Sequence, residues 1–575
     1  MHRSRSWGRA DRVSGSLVVL CSIGFFAAPG FAQTDISFSE EAISRGMFYL
    51  VGYPYTQMGA GHGFVDLDND RDLDIVALGA SNGLVGVYEN LGSGTFANRS
   101  FTSGIGGHGA PAGFSAADYD GDGDLDLYLG GWFTSARLLR NEGGFTFTDV
   151  TAQAGLGLSC PSQASTWGDP DGDGWLDLYV SVRTATDLDM TKNQFFHNNG
   201  DGTFTEMGVA VGIDAGKDPT LLGAFFDMDR DGDDELYLAT DKGEPGSWTN
   251  RLFRNDGGVF SDITVAANAE AHLHCMGIGI GDLNFDGYFD LYLTNIALGN
   301  KLLMNNGSGG FVDQTAASGM GAYVLSWATV FADFNNDTHL DTYLCSATGP
   351  NMVYHGSDVW PLDEVGNATG ADAAGYSYSV SVGDLDEDGD LDMMVDEVGA
   401  YTKLYFNHTV TNNNWLRLRV VGQWPNTFAV GAQVEIQTSG KTQLREIHCG
   451  SNYKAMNEFV VHAGSGLAKT ADTVTVMWPG TGDQRVLTGV PANREWDVFP
   501  PERLGDANLD GVVNRLDAYE MLVMLGGTDA FYGGIPVTQG LEMLDFDGDF
   551  DIDGDDILAL VSRVGPITMP NRPKP

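Results

Sequence analysis

Cysteine is scarce. The chain has 5 in 575 residues, at Cys21, Cys160, Cys275, Cys345 and Cys449, with no CxxC pair. That spacing excludes a zinc knuckle and argues against a small disulfide-scaffolded fold. The last four allow three disulfide pairings or four buried thiols, and the sequence leaves both open. Basic residues are also few, with 31 Lys and Arg against 78 Asp and Glu and a formal charge of −47. A chain this acidic is repelled by nucleic acid and by anionic membranes, so neither is expected as a partner. No apolar run reaches the roughly 20 residues that a bilayer-spanning helix needs. HExxH, GxSxG, P-loop and dinucleotide fingerprints are missing too, and no catalytic residue can be nominated.

The nearest thing to a long apolar run is N-terminal. Arg3, Arg5, Arg9 and Arg12 precede SLVVLCSIGFFAA, which leads into PGFAQ. That order is the layout of a secretory signal peptide, with cleavage expected near Ala32 and no transmembrane span afterwards. What remains is 42% hydrophobic over the whole chain, with 78 glycines. This suits packed, turn-rich β-structure, and the length requires several domains.

An acidic nine-residue motif recurs seven times at intervals of 51 to 58 residues. Its positions 1, 3, 5 and 9 are Asp66, Asp68, Asp70 and Asp74 in the first copy, then Asp118, Asp120, Asp122 and Asp126. The third and fourth copies give Asp169, Asp171, Asp173 and Asp177, then Asp227, Asp229, Asp231 and Glu235. Next come Asp282, Asn284, Asp286 and Asp290, followed by Asp333, Asn335, Asp337 and Asp341. The last copy has Asp384, Asp386, Asp388 and Asp392. Left bare, such rows of carboxylates would repel one another. Hard oxygens at alternate positions of a tight loop fit Ca²⁺, with glycines such as Gly123 and Gly174 supplying the sharp turn. Closing at position 9 rather than 12 puts the loop in a β-hairpin. The sixth copy, with Thr338 and His339, is the weakest site of the set.

Around each motif the anatomy repeats. A lead-in rich in small residues is followed by the loop, a strand such as LYLGG, a run such as RLLRN, a glycine turn and a segment such as FTDVT. Four short strands per unit and seven units predict a mainly β fold, a seven-bladed β-propeller. The seventh unit lacks its last segment, and ISFSEEAISRGM, from Ile36 to Met47, is expected to supply it and close the ring.

These loops and their spacing resemble the FG-GAP/VCBS repeats of integrin-α-type propellers. The resemblance implies calcium in hairpin loops on one face and ligand or partner binding on the other. Residues 33–408 are assigned to this propeller. NWL, GAQVEI, REIHCG and VMWPG resemble the ASPIC/UnbV domain, here placed at 409–500 as a small β-domain, with Arg445, Glu446 and Trp478 read as packing residues. Residues 501–575 hold a loop with Asp506, Asn508, Asp510, Asn514 and Asp517 at positions 1, 3, 5, 9 and 12, running into an amphipathic pattern. A second loop carries Asp545, Asp547, Asp549, Asp553 and Asp556. The pair resembles type I dockerin repeats, an EF-hand-like α-helical module, and implies a cohesin-type partner; a calcium-stabilised cap is the alternative.

The longest insertions follow the third and fourth loops, where binding residues tend to gather. Arg183, Lys192, Lys242 and Trp248, with Trp132 and Phe133, are the candidate ligand face. The expected function is a secreted, calcium-binding, non-enzymatic adhesion protein for an extracellular protein or glycan. A polysaccharide lyase or hydrolase on a calcium-stabilised propeller is the alternative.

Overall fold

The computed structural model describes residues 35–501 apart from 53–57, 110, 133, 158–161, 184–191, 215, 217 and 244–247. Beyond 501 it describes only 504, 535–536, 544–546, 551–552, 556 and 559–560.

Each acidic motif forms the turn of a hairpin. In the second unit Pro111–Ala117 runs into the loop, Asp126–Gly131 returns, and Arg137–Asn141 and Phe147–Asp149 follow as antiparallel neighbours. Position 9 of every motif opens the second strand. Among the described residues, seven sheets are built in this up-and-down way. The second strands are buried along almost their whole length, as fits sheets packed on both faces.

The first strands of successive units touch. Ser115 and Ser165 hydroxyls stand 2.7 Å apart, and Ser381 of the seventh unit meets His62 Nδ1 of the first at 2.8 Å. The first described strand completes the seventh unit, as the sequence leads one to expect. Phe38–Glu40 pairs with Lys403–Asn407 as the outer strand of the seventh unit, Phe38 opposite Asn407.

Two further sheets form the β-domain. One joins Asn414–Val420 to Val461–Gly466 and Glu495–Val498; the other joins Gln433–Thr438 to Lys441–Glu446 and Thr470–Met477, with Gln484–Pro491 outside. Leu418, Val434, Ile436, Val474 and Trp496 fill the space between them.

The expected C-terminal helical module is not shown, because most of residues 501–575 lie outside the described residues. The described helices are three four-residue turns at Gly208–Val211, Thr315–Ser318 and Gly366–Thr369, all within the repeats. In the tail, the described residues in α-helical conformation are Asp556, Ala559 and Leu560. Leu504, Leu544 and Leu560 belong to the core of the β-domain. Asp551–Ile552, inside the second tail loop, pairs with Ile535–Pro536.

Candidate functional site

Position 1 of each acidic loop anchors the turn. Asp118 accepts hydrogen bonds from the amides of Asp122 and Gly123 at 3.1 and 3.0 Å, and Asp169, Asp227, Asp282 and Asp384 repeat the pattern. Position 9 ties the turn to the third strand. Asp74 accepts from the amides of Leu67 and Asn90, and Asp126, Glu235, Asp290 and Asp392 behave likewise.

Position 3 is different. Oδ1 of Asp68, Asp120 and Asp229 is buried without a hydrogen-bond partner. In five loops, ligand atoms from three residues lie within 4.8 Å of one another. These are Asp66, Asp68 and Asp70; Asp118, Asp120 and Asp122; Asp171, Asp173 and His197; Asp227, Asp229 and Glu235; and Asp384, Asp386 and Asp392. An orphaned carboxylate oxygen facing other carboxylates fits a hard divalent cation.

Electrostatics point the same way. Burial, with neighbouring carboxylates adding to it, pushes Asp74 and Glu235 up to about 9 and Asp169 up to about 7. Such groups need a proton or a cation near neutral pH.

The fifth and sixth loops are not among these five clusters. Position 3 is asparagine in both, and its amide donates to position 5: Asn284 to Asp286 at 2.9 Å and Asn335 to Asp337 at 3.1 Å. In the sixth, His339 and His355 also approach Asp337. Burial opposes ionisation there, but those hydrogen bonds hold the Asp337 carboxyl well below its usual range.

The β-domain sits on this loop-bearing face. Thr427 Oγ1 donates to Asp118, Gln433 donates to Asp227 at 3.0 Å, and buried Arg417 stands 3.5 Å from Asp384. Arg71 pairs with Asp497 at 2.8 Å, and Trp424 Nε1 donates to the Gly121 carbonyl.

Between Glu446 and Val461 the domain sends a segment among the first strands of the units. Cys449 accepts from the Trp167 amide through its carbonyl, and its Sγ lies 3.0 Å from the Ala116 carbonyl. Ala455–Met456 pairs in parallel with His62–Gly63. Tyr453 and Lys454 reach Met58, donating to its carbonyl at 2.9 Å each. Tyr453 also rests against Trp327, which in turn meets Tyr378. The small lead-in residues make room: a Cβ on Gly61 would meet the Lys454 carbonyl at 2.6 Å, and one on Gly63 would meet the next unit's Phe114 ring at 2.4 Å and Met456 Cβ of the plug at 3.3 Å. Sequence reasoning did not find this plug. The NYKAMN stretch, an aromatic and a cation inside a small β-domain with no alternation, was the available signal.

The FG-GAP-like repeat profile matches this chain at 66–129, 118–180, 169–238, 227–293, 282–344 and 333–395, more than half its length. The chain belongs to the FG-GAP-like repeat family. The ASPIC and UnbV profile matches residues 422–504. Among curated proteins, mouse cartilage acidic protein 1 is 24% identical over 500 residues, covering 78% of this chain and 74% of that protein. Human cartilage acidic protein 1 is 29% identical over 248 residues, covering 40% and 37%. Among solved structures, BBS1N in complex with ARL6DN aligns with a TM-score of 0.41 and 9% identity, over 65% of this chain and 98% of that one.

Of the candidate ligand residues of this FG-GAP protein, Trp132, Arg183 and Lys242 follow second strands, and Lys192 and Trp248 precede third strands. Arg183 pairs with Asp241 at 2.6 Å and lies 3.7 Å from Met58 Sδ, beside the plug. Lys192 is exposed and paired with Asp214. Trp132 and Trp248 are half-buried, as is Lys242 next to Asp241. Phe133 lies outside the described residues, as do Asp506, Asn508, Asp510, Asn514, Asp517, Asp547, Asp549 and Asp553. Of the tail ligands Asp545 and Asp556 are buried, and Asp556 accepts from the Phe546 amide at 2.6 Å, closing its loop. Cys275, Cys345 and Cys449 are buried and free, and Cys160 lies outside the described residues. Among the histidines, His62 and His108 are buried; His272 and His274 stand near Glu270 and Asp241.

Proposed function

We propose that this is an exported, calcium-stabilised, non-enzymatic recognition protein whose seven sheets are the blades of one ring. The observation that carries the reading is the position of the β-domain. It covers the acidic loops on one face and fills the ring's middle with Tyr453 and Lys454. A central cleft, where a propeller would hold a small substrate, is thereby occupied by the chain itself. The opposite face, edged by Trp132, Arg183, Lys242 and Trp248, is left for an extracellular protein or glycan. Export rests on the arginine-flanked N-terminal segment.

Calcium is assigned to the first, second, fourth and seventh loops as a structural ion, held by carboxylates from positions 1, 3, 5 and 9. Its role there is to neutralise like charges and lock the hairpins. The C-terminal tail is read as a cap on the β-domain, because Leu544 and Leu560 pack into that core; docking to a cohesin-type partner has no such support.

The test is to strip metal with EDTA, then titrate calcium back while following the melt and the heat of binding. Recovery of a Tm lowered by about 10 °C or more, with several ions bound, is expected. An unchanged melt would count against the calcium assignment. Glycan and matrix-protein arrays should give binding with no new reducing or unsaturated ends; product formation would favour the enzyme.

A further inference from the structure

The third loop is built unlike the other six. We infer that it is a mixed imidazole–carboxylate site for a divalent first-row transition ion, Mn²⁺ or Zn²⁺ in class, rather than for calcium. This deepens the reading of the acidic loops as cation sites and rests on it. His197 comes from the third strand of the unit, one residue before its last asparagine. Its Nδ1 stands 3.4 Å from Asp171 and 3.2 Å from Asp177, and with Asp171 and Asp173 it forms a group of close ligand atoms. Ligands around an ion with bonds of ~2.1 Å stand about 3 Å apart, so the spacing needs little change. Calcium takes oxygen ligands, whereas imidazole suits the transition ions.

An independent observation concerns Asp177. It is fully buried, and its Oδ2 has no hydrogen-bond partner. In all six other loops the position 9 carboxylate accepts the amide of position 2, from Leu67, Tyr119, Met228, Leu283, Phe334 and Leu385. Here position 2 is Pro170, which has no N–H to give. Proline thus frees an oxygen in the loop where a histidine stands in one group of close ligand atoms with Asp171 and Asp173. The sixth unit also has a histidine at the equivalent place, His355, but it faces the Asn335 amide and its Asp341 is bonded to Phe334. Asp171 and His197 are partly open to solvent, so an ion can enter.

The test uses the full chain in excess calcium, titrated with Mn²⁺ and read by pulsed EPR. One retained Mn²⁺ per chain with ¹⁴N coupling from an imidazole is expected. His197→Gln should remove that coupling and weaken retention by about tenfold or more. Pro170→Ala should weaken it too, by returning an amide to Asp177, and His355→Gln should change nothing. Melts of each variant establish that it folds. Retained Mn²⁺ without nitrogen coupling, or coupling that survives His197→Gln, overturns the inference. Calcium loading with retention of neither Mn²⁺ nor, in a parallel titration, Zn²⁺ also overturns it, leaving His197 a counter-charge to the acids and the function proposed above intact. Failure of calcium as well brings down the loop reading itself.

Discussion

Position 6 of the acidic loops shows how much one torsion angle decides. Its φ is 92° at Gly123, 93° at Gly232 and 90° at Gly389, and the same bend is forced on Arg71 at 81° and Thr338 at 90°. A β-branched residue there is strained by an amount on the order of 1–3 kcal/mol. Thr338→Gly should therefore stabilise the ring by about 1 kcal/mol after the greater freedom of glycine in the unfolded chain is subtracted. Denaturant unfolding checks this; a loss of stability would refute it. A second residue-scale device was hidden. The asparagine that ends most third strands donates to a carbonyl in the preceding unit: Asn141 to Leu67, Asn198 to Tyr119, Asn305 to Met228, Asn407 to Phe334 and Asn90 to Leu385. Each also bonds its own unit, as Asn141 does to Leu125. Gly356 holds that place in the sixth unit, where a Cβ would meet the Leu340 carbonyl at 2.5 Å. Asn141→Ala should cost about 2–3 kcal/mol, since two buried carbonyls lose a donor, whereas Gly356→Asn should fail to add a clasp and should destabilise. A matched pair of urea titrations decides it. The acidic loops were legible because their bonds close within nine residues. The clasps were not, because their acceptors lie a whole unit away.

At the scale of the element, the plug explains a pattern that composition displayed without its cause. Small residues in the lead-in strands read as turn-rich β-sequence, yet Gly61 and Gly63 are small because another part of the chain passes against them. No periodicity within Gly450–Asn457 could announce which strands it would join. Its buried lysine gives a measurable consequence. Burial lowers Lys454 to about 7; Asp396 opposes the shift and Arg183 adds to it. The unfolded lysine keeps its proton to about 10.5. Below pH 7 both states are protonated and the folded state bears the full cost of the buried charge. Between pH 7 and about 10 the unfolded state binds more protons, so this lysine's contribution to stability rises with pH. Lys454→Met should remove a slope of up to about 1.4 kcal/mol per pH unit from that window. Unfolding curves at pH 7, 8 and 9 with calcium held saturating supply the comparison. Parallel pH dependences in the two proteins would refute a neutral Lys454.

For the whole molecule, the sequence disclosed the order of the units and the strand that joins the ends, because both are written in repeated local patterns. It did not disclose that the β-domain is seated on the carboxylates. Thr427, Gln433 and Arg417 reach position 1 of the second, fourth and seventh loops, so the acids serve the domain interface as well as their own hairpins. Ring closure and the tail can then be separated by experiment. Deleting Ile36–Met47 removes buried Ile36, Phe38, Ala42 and Met47 along with the outer strand of the seventh unit. That loss amounts to about 5 kcal/mol or more, a fall in Tm on the order of 10 °C or greater, and it should be felt throughout the ring. Deleting residues after Leu504 instead removes Leu544 and Leu560 from beneath the β-domain, so its cost should fall on Trp496 and its neighbours. Hydrogen exchange distinguishes the two. The first deletion should speed exchange in the strands of all seven units, and the second should speed it in Gln433–Thr438 and Thr470–Met477 while the ring stays protected. Rapid exchange confined to the seventh unit after the first deletion would mean that the sheets unfold singly and that closing the circle contributes little to their stability.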